Sequence, residues 1–404
     1  MEQINKLAKQ DIKQASGLLL VLSLIFVAAN LRAPITSVGP LVSYIRESTG
    51  ISNSVAGLLT TVPLLAFTFM SPFAARLARR YSVERVILYA LIFIGIGTLC
   101  RSVSSSVTLF GGTMLIGLAI AVCNVLLPSL VKRDFSSKIG LMTGIYSVAM
   151  NICGALASGI SVPLARDAGF GWQGALSSWL VLTAVGIICW LPRMRQTKQA
   201  AAAVSQAHTA ASETKLSRSP LAWQVTSFMG LQSFIFYNLV AWLPEILSSR
   251  GMTSDTAGWM LSLIQFSMLP FTFVIPIVAS RMKNQRMLVV MTTLLYIVGI
   301  GGLLADGNSL VPLWSVLIGI AGAGSFSLAM LFFTLRTRST QAAARLSGMA
   351  QSFGYLLAAI GPLVFGLIHD LTHHWTISIV MLIAASVLIF VFGMGAARNR
   401  YVGE

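Results

Sequence analysis

Leu18-Leu19-Leu20-Val21-Leu22-Ser23-Leu24-Ile25-Phe26-Val27-Ala28-Ala29-Asn30-Leu31-Arg32-Ala33-Pro34 sets the class of this chain. The apolar run resumes from Ile35 to Leu41. A run of this length matches a helix crossing about 30 Å of hydrocarbon at roughly 1.5 Å per residue. Similar runs recur near 17–44, 54–75, 86–104, 107–131, 139–162, 173–192, 221–247, 255–280, 287–305, 311–335, 346–369 and 375–396. At 56% hydrophobic and 10% charged residues, with mean hydropathy +0.81, the 404 residues lie far from a soluble domain. Charged residues there make up about a quarter. The expected fold class is an all-α membrane protein of twelve transmembrane helices. The opening run follows a Lys-rich start in the outline of a signal peptide; because it continues past Arg32 and eleven more follow, it reads as an uncleaved first span.

The net charge of +16 is a matter of placement. With the N-terminus inside, the even-to-odd connections and both ends hold 23 of the 28 Lys and Arg, among them Lys6, Lys9, Lys13, Arg76, Arg79, Arg80, Lys132, Arg133, Lys138, Arg281, Lys283, Arg336 and Arg345. The opposite side keeps Arg46, Arg101, Arg166 and Arg250, and Arg32 stands apart. This asymmetry is the positive-inside pattern; it places both termini in the cytoplasm of a multi-pass cytoplasmic (inner) membrane protein and requires no nucleic-acid partner. Cys100, Cys123, Cys153 and Cys189 fall in or at the ends of apolar runs without CxxC spacing, so no disulfide framework or metal site is expected.

One polar stretch, 193–219, is rich in Ala, Gln, Ser and Lys and divides the chain into an N-terminal six-helix bundle (1–192) and a C-terminal one (220–404), with a cytoplasmic linker between. The halves echo each other. Val55-Ala56-Gly57-Leu58-Leu59 aligns with Thr256-Ala257-Gly258-Trp259-Met260 at an offset of 201, and Leu115-Ile116-Gly117-Leu118-Ala119 with Leu317-Ile318-Gly319-Ile320-Ala321 at 202. Leu141-Met142-Thr143-Gly144 aligns with Leu346-Ser347-Gly348 at 204, counted on the glycines. A duplicated six-span unit builds two pseudo-symmetric bundles with a solute site near the midplane.

The connection after the second run, Pro72-Phe73-Ala74-Ala75-Arg76-Leu77-Ala78-Arg79-Arg80, resembles the signature loop of the major facilitator superfamily, with Arg76, Arg79 and Arg80 as gating residues. The usual Asp and Gly of that loop are replaced by Ala75 and Ala78, which removes an acidic member from its charge relay. Asn30-Leu31-Arg32, Leu59 to Phe67, Lys132-Arg133-Asp134-Phe135, Gly171 to Leu176, Ser219 to Val225 and Leu346 to Ser352 resemble the cyanate/2-nitroimidazole transporter family within it. The resemblance covers nearly the whole chain. It implies a twelve-helix secondary transporter, with no enzymatic activity and no cofactor, for small anionic or nitro-bearing solutes.

Arg32 is the one charge set deep within an apolar run. An ionised side chain at mid-bilayer costs at least ~2.5 kcal/mol, so such groups face a bundle interior or wet cavity. Its planar fork suits carboxylate, nitro or cyanate groups and makes Arg32 the expected substrate anchor. Asn30 lies about 200° away on an ideal helix and is expected to bond a neighbouring helix. The offset of 201 carries Arg32 onto Ser233, beside Gln232, so the second half offers neutral polar groups instead. Ser147 and Asn151 share a helix face, and the offset of 204 carries them onto Gln351 and Tyr355; Asn124 and Tyr146 join them as substrate-binding candidates. In the seventh run, Phe236 and Tyr237 offer flat walls for a planar solute, and Trp242 reads as an interfacial anchor. The polar pairs could equally be interhelical hydrogen bonds.

No Asp or Glu falls mid-span: Glu47, Asp167, Glu245, Asp255, Asp306 and Asp370 cluster on the outer side, and the others inside. His208 lies in the linker, and His369, His373 and His374 lie near the outer end of the eleventh run. Coupling through a deep carboxylate is disfavoured. The expected function is facilitative or secondary active transport of a small anionic or nitro-bearing organic solute by a monomer through alternating access. The alternative is efflux of neutral planar xenobiotics. Enzyme or sensor readings lack a nucleophile–base, metal or signalling constellation.

Overall fold

A computed structural model of the chain describes residues 18–51, 53–103, 105–204, 216–305 and 307–403. Lys6, Lys9, Lys13, Asp306 and part of the expected linker, with His208, lie outside the described residues. The regular structure of the described residues is helical, and none of them is in a strand.

The first span is broken. Helix α1 (18–29) gives way to a turn at 30–32, then a short α2 (Ala33–Thr36), a 3-10 turn (Gly39–Leu41) and α3 (Val42–Thr49). Pro34 lacks an N–H and restricts the residue before it. Around it the backbone tightens, with Leu31 N–H on Ala28 O at 3.0 Å and Ile35 N–H on Arg32 O at 3.0 Å. Gly50 closes α3 at φ +69°, a left-handed cap that glycine adopts without a Cβ clash. One kinked span over 17–44 was expected; the interruption begins at Asn30, four residues before the proline.

The remaining helices are α4 (Asn53–Tyr81), α5 (Val83–Arg101), α6 (Ser106–Asp134), α7 (Ile139–Arg166), α8 (Gly171–Ser177), α9 (Leu180–Val204), α10 (Pro220–Ser248), α11 (Ser254–Arg281), α12 (Arg286–Gly302), α13 (Val311–Leu335), α14 (Thr340–Thr372) and α15 (Thr376–Ala396). Ten segments among the described residues are long and apolar enough to cross a membrane. The two left from the expected twelve are α12, short at 17 residues, and α10, whose 29 residues include Gln224, Gln232, Ser233, Asn238 and Glu245. Helix α9 runs eleven residues past the expected start of the linker at 193, through the strong helix formers Ala200 to Ala203.

The chain forms two compact units. The first comprises Met1–Thr60, Leu77–Cys123 and Ala149–Glu213; the second comprises Thr61–Arg76, Asn124–Val148 and Thr214–Glu404. In unit 1, Val38, Leu41, Ile45, Leu59, Leu109, Trp172 and Leu176 form a core cluster. Trp172 Nε1 donates to Ser48 Oγ at 2.6 Å beside it. Close backbone approach also holds unit 2: a Cβ on Gly230 of α10 would stand 3.2 Å from Gly354 Cα of α14. Gly319 likewise packs against α11 at Ile264 and Ser267, whereas Gly159 faces open space.

Candidate solute site

In unit 1 the break in the first span decides where polar side chains point. Asn30 is fully buried and committed to its surroundings: Nδ2 donates to Phe26 O (2.8 Å) and Leu182 O (3.2 Å), and Thr183 Oγ1 donates to Asn30 Oδ1 (2.7 Å). It is an interhelical tie to α9, the role expected for it. Arg32 is half-buried, and its stem lies along α7, where a Cβ at Gly154 would stand 3.1 Å from Arg32 Cβ. Thr36 Oγ1 donates to Gly154 O (2.8 Å) and Ser158 Oγ to Thr36 O (3.3 Å), stitching α2 to the same face. Asn151 lies one turn along α7 from Gly154, half-buried, with Nδ2 buried and unpartnered among the described residues. Residues 30 and 32 straddle a turn, so the ideal-helix angle between them does not apply.

Arg101 was expected on the polar outer side. Its side chain is instead 1% exposed, with Nη1 hydrogen-bonded to Pro34 O and Nη2 to Ser37 Oγ (3.4 Å), while Nε has no partner. It holds the carbonyl of the proline that interrupts the first span. Arg101-Ser102-Val103-Ser104-Ser105-Ser106 reads as a solvated loop, and only the orphaned carbonyls around Pro34 hint at a donor. Glu84 and Arg336 are buried at helix ends as well, and Arg193 is buried within α9. Arg193 stacks on Trp190, with Cζ 4.6 Å from the ring centroid, and Trp190 Nε1 donates to Glu84 O at 2.9 Å.

Unit 2 carries the other candidates. Gln351 is fully buried, and its Nε2 donates to Asn124 O (3.1 Å) and Ser347 Oγ (2.8 Å). A backbone carbonyl only accepts, so this contact fixes the amide orientation and leaves Oε1 as a buried acceptor without a donor. Tyr146 Oη and Ser147 Oγ, also buried, lack partners among the described residues. A buried polar group left unpaired costs about 1–3 kcal/mol, and such groups cluster where a ligand or water is met. In α10, Gln232 Nε2 donates to Ser233 Oγ (2.7 Å), and both side chains are buried. Phe236 packs edge-on to Tyr237 (5.3 Å), Tyr237 to Tyr355 (6.4 Å), and Tyr355 is 4.9 Å from Phe67. This aromatic row joins three expected residues to Phe67, which the sequence reading did not single out. Trp242, read as an interfacial anchor, is half-buried: Nε1 donates to Pro362 O at 2.9 Å, and its ring lies 5.2 Å from Trp375.

The loop arginines Arg76, Arg79 and Arg80 are exposed on the last turns of α4; Arg76 lies 5.8 Å from the Phe73 ring and Arg80 5.3 Å from the Tyr81 ring. The expected stand-in, Ala75, is buried.

A helical membrane chain with a broken first span, an intramembrane arginine and glycine-tight helix pairs matches the Major Facilitator Superfamily model over residues 20–362. The chain belongs to that superfamily. Superfamily relatives span nearly its full length. It is 46% identical over 391 residues to the uncharacterized transporter YycB of Bacillus subtilis (strain 168), covering 96% of each chain. It is 40% identical over 386 residues to the 2-nitroimidazole transporter of Escherichia coli (strain K12), covering 95% of this chain and 97% of that one. The cyanate transport protein CynX of the same strain is 26% identical over 358 residues, covering 88% and 91%. The fold matches the superfamily proton:xylose symporter XylE at a TM-score of 0.74 and 12% identity, over 95% of this chain and 96% of that one. The chain is therefore a multi-pass membrane transporter of the superfamily, similar to its cyanate and 2-nitroimidazole members.

Proposed function

We propose that this transporter moves a small anionic or nitro-bearing organic solute across the cytoplasmic membrane by alternating access, with Arg32 as the anchor. The observation that carries the reading is Arg32 itself. It is the charge that the first span retains at its interruption, half-buried, with its stem held on Gly154. A guanidinium in a low-dielectric surrounding attracts a monoanion or the oxygens of a nitro group, and its fork favours planar bidentate partners. Relatives that carry cyanate and 2-nitroimidazole in their names support this solute class.

The row Phe67, Tyr355, Tyr237 and Phe236 favours planar solutes and keeps efflux of neutral nitro-heterocycles as a second reading. The unpaired groups of Tyr146, Ser147, Asn151 and Gln351, with Gln232 and Ser233, are the further solute-binding candidates. We assign the basic helix ends and both termini to the cytoplasm, residues 1–192 and 220–404 to the two six-helix bundles, and the working form to a monomer. Binding separates the readings: tryptophan-fluorescence titration of detergent-purified protein with a carboxylate monoanion and with a neutral nitroimidazole, for wild type and Arg32→Gln. The anchor reading expects the mutation to weaken the anion about 10–100-fold, the size of a lost hydrogen bond to a charged group. Equal affinities for the anion would contradict it.

A further inference from the structure

Unit 2 joins helix ends of the first six spans to helix ends of the second six, and one residue stands out among these contacts. Lys132, in the last turn of α6, extends its ammonium to the C-terminal end of α13. Nζ donates to Thr334 O (2.6 Å), to Thr337 O and to Thr337 Oγ1 (3.3 Å). The last carbonyls of a helix have no partners within it and carry the negative end of its dipole, so an ammonium is well placed there.

Elsewhere in unit 2 helices of the two halves approach backbone to backbone. A Cβ at Gly348 of α14 would stand 2.7 Å from Ser71 O of α4, and one at Gly144 of α7 would stand 2.8 Å from Phe273 O of α11. The two glycines are related by the repeat offset of 204, and their partners Ser71 and Phe273 by 202. Ser352 Oγ donates to Thr68 O (2.7 Å) in the same region. The two glycine contacts are one contact used twice by the duplicated unit.

Lys132 departs from that symmetry. Its repeat equivalent at offset 204 is Arg336. Arg336 stays within its own half: at the end of α15, Nε donates to Ala396 O (2.7 Å) and Nη2 to Ala397 O (3.2 Å), and Nη2 also donates to Gln285 Oε1 at the start of α12. Lys132 crosses to the other half's helix end instead.

We propose that Lys132 is the latch of the inner gate: seated on the C-terminal end of the tenth span, it holds the cytoplasmic side closed and must leave that seat when this side opens. The inference rests on the alternating-access reading and on placing the basic helix ends inside. It accounts for closure in a chain whose 72–80 loop has three arginines and no carboxylate.

The test uses Ser71→Cys, a fully buried position at the Gly348 contact between the halves, in inside-out membrane vesicles with a membrane-impermeant maleimide; the background is the reaction of the native cysteines without that substitution. Adding Lys132→Met is expected to speed labelling about tenfold, the population shift that follows loss of a charge-assisted hydrogen bond. Lys132→Gln keeps a polar side chain and gives the same answer if the Met variant does not fold. Labelling that responds to a transported nitroimidazole but not to either Lys132 variant overturns the latch and leaves alternating access standing. Labelling that responds to neither overturns both.

Discussion

The first and seventh spans occupy matching places in the duplicated unit and solve the same problem in opposite ways. The first is interrupted at 30–32, loses backbone pairing around Pro34, and puts a cation at the interruption. The seventh, α10, runs unbroken for 29 residues through Gln232 and Ser233, whose side chains bond to each other. A break frees carbonyls that need donors, and Arg101 serves one of them. A continuous helix satisfies its own backbone and can bury neutral amides without a cation. The duplicated unit has thus diverged into one half that holds charge and one half that offers neutral polar and aromatic surface.

If this division is right, substitutions should grade from the first span outward. Arg32→Gln should have the largest effect, weakening anion binding about 10–100-fold with little change in thermal stability. Arg32→Lys keeps the charge and loses the planar fork, so titration should find it between wild type and Gln. Gly154→Val comes next: any Cβ there meets the Arg32 stem, and the larger side chain should displace it and weaken solute binding about tenfold, with Gly154→Ala much milder. Arg101→Met leaves Pro34 O without its donor and should cost about 1–3 kcal/mol, read as a melting temperature lower by several degrees. Gln351→Leu removes both its bond to Asn124 O and its unpaired acceptor, and should change binding only a few-fold. Ser233→Ala should be smallest, within about twofold, because Ser233 Oγ is already engaged by Gln232. A larger effect from Ser233 than from Arg32 would reverse the division of roles.

Much of this could be read before the structure. Hydrophobic runs give the spans because a bilayer imposes one length on each, and an Asn within an apolar run needs hydrogen-bond partners, which Asn30 finds on α9. What stayed hidden depends on chain regions distant in sequence. Arg101 sits among serines that look like a loop, and its burial is dictated by a carbonyl 67 positions away. Trp242 reads as a membrane-surface anchor, and nothing in its own segment shows that its indole donates to the backbone of Pro362. Lys132 counts as one more positive-inside residue until the helix end it reaches is known. Burial of Arg336 pulls its guanidinium down to about 10, which still leaves it charged at neutral pH, and no local pattern separates its role within one half from the crossing made by Lys132.

The most direct test of the central claim is uptake into proteoliposomes of a labelled carboxylate monoanion beside a neutral nitro-heterocycle, by wild type and by folded Arg32→Gln. The account predicts saturable anion uptake by the wild type that falls to background in the mutant. Anion uptake that Arg32→Gln leaves intact would contradict it.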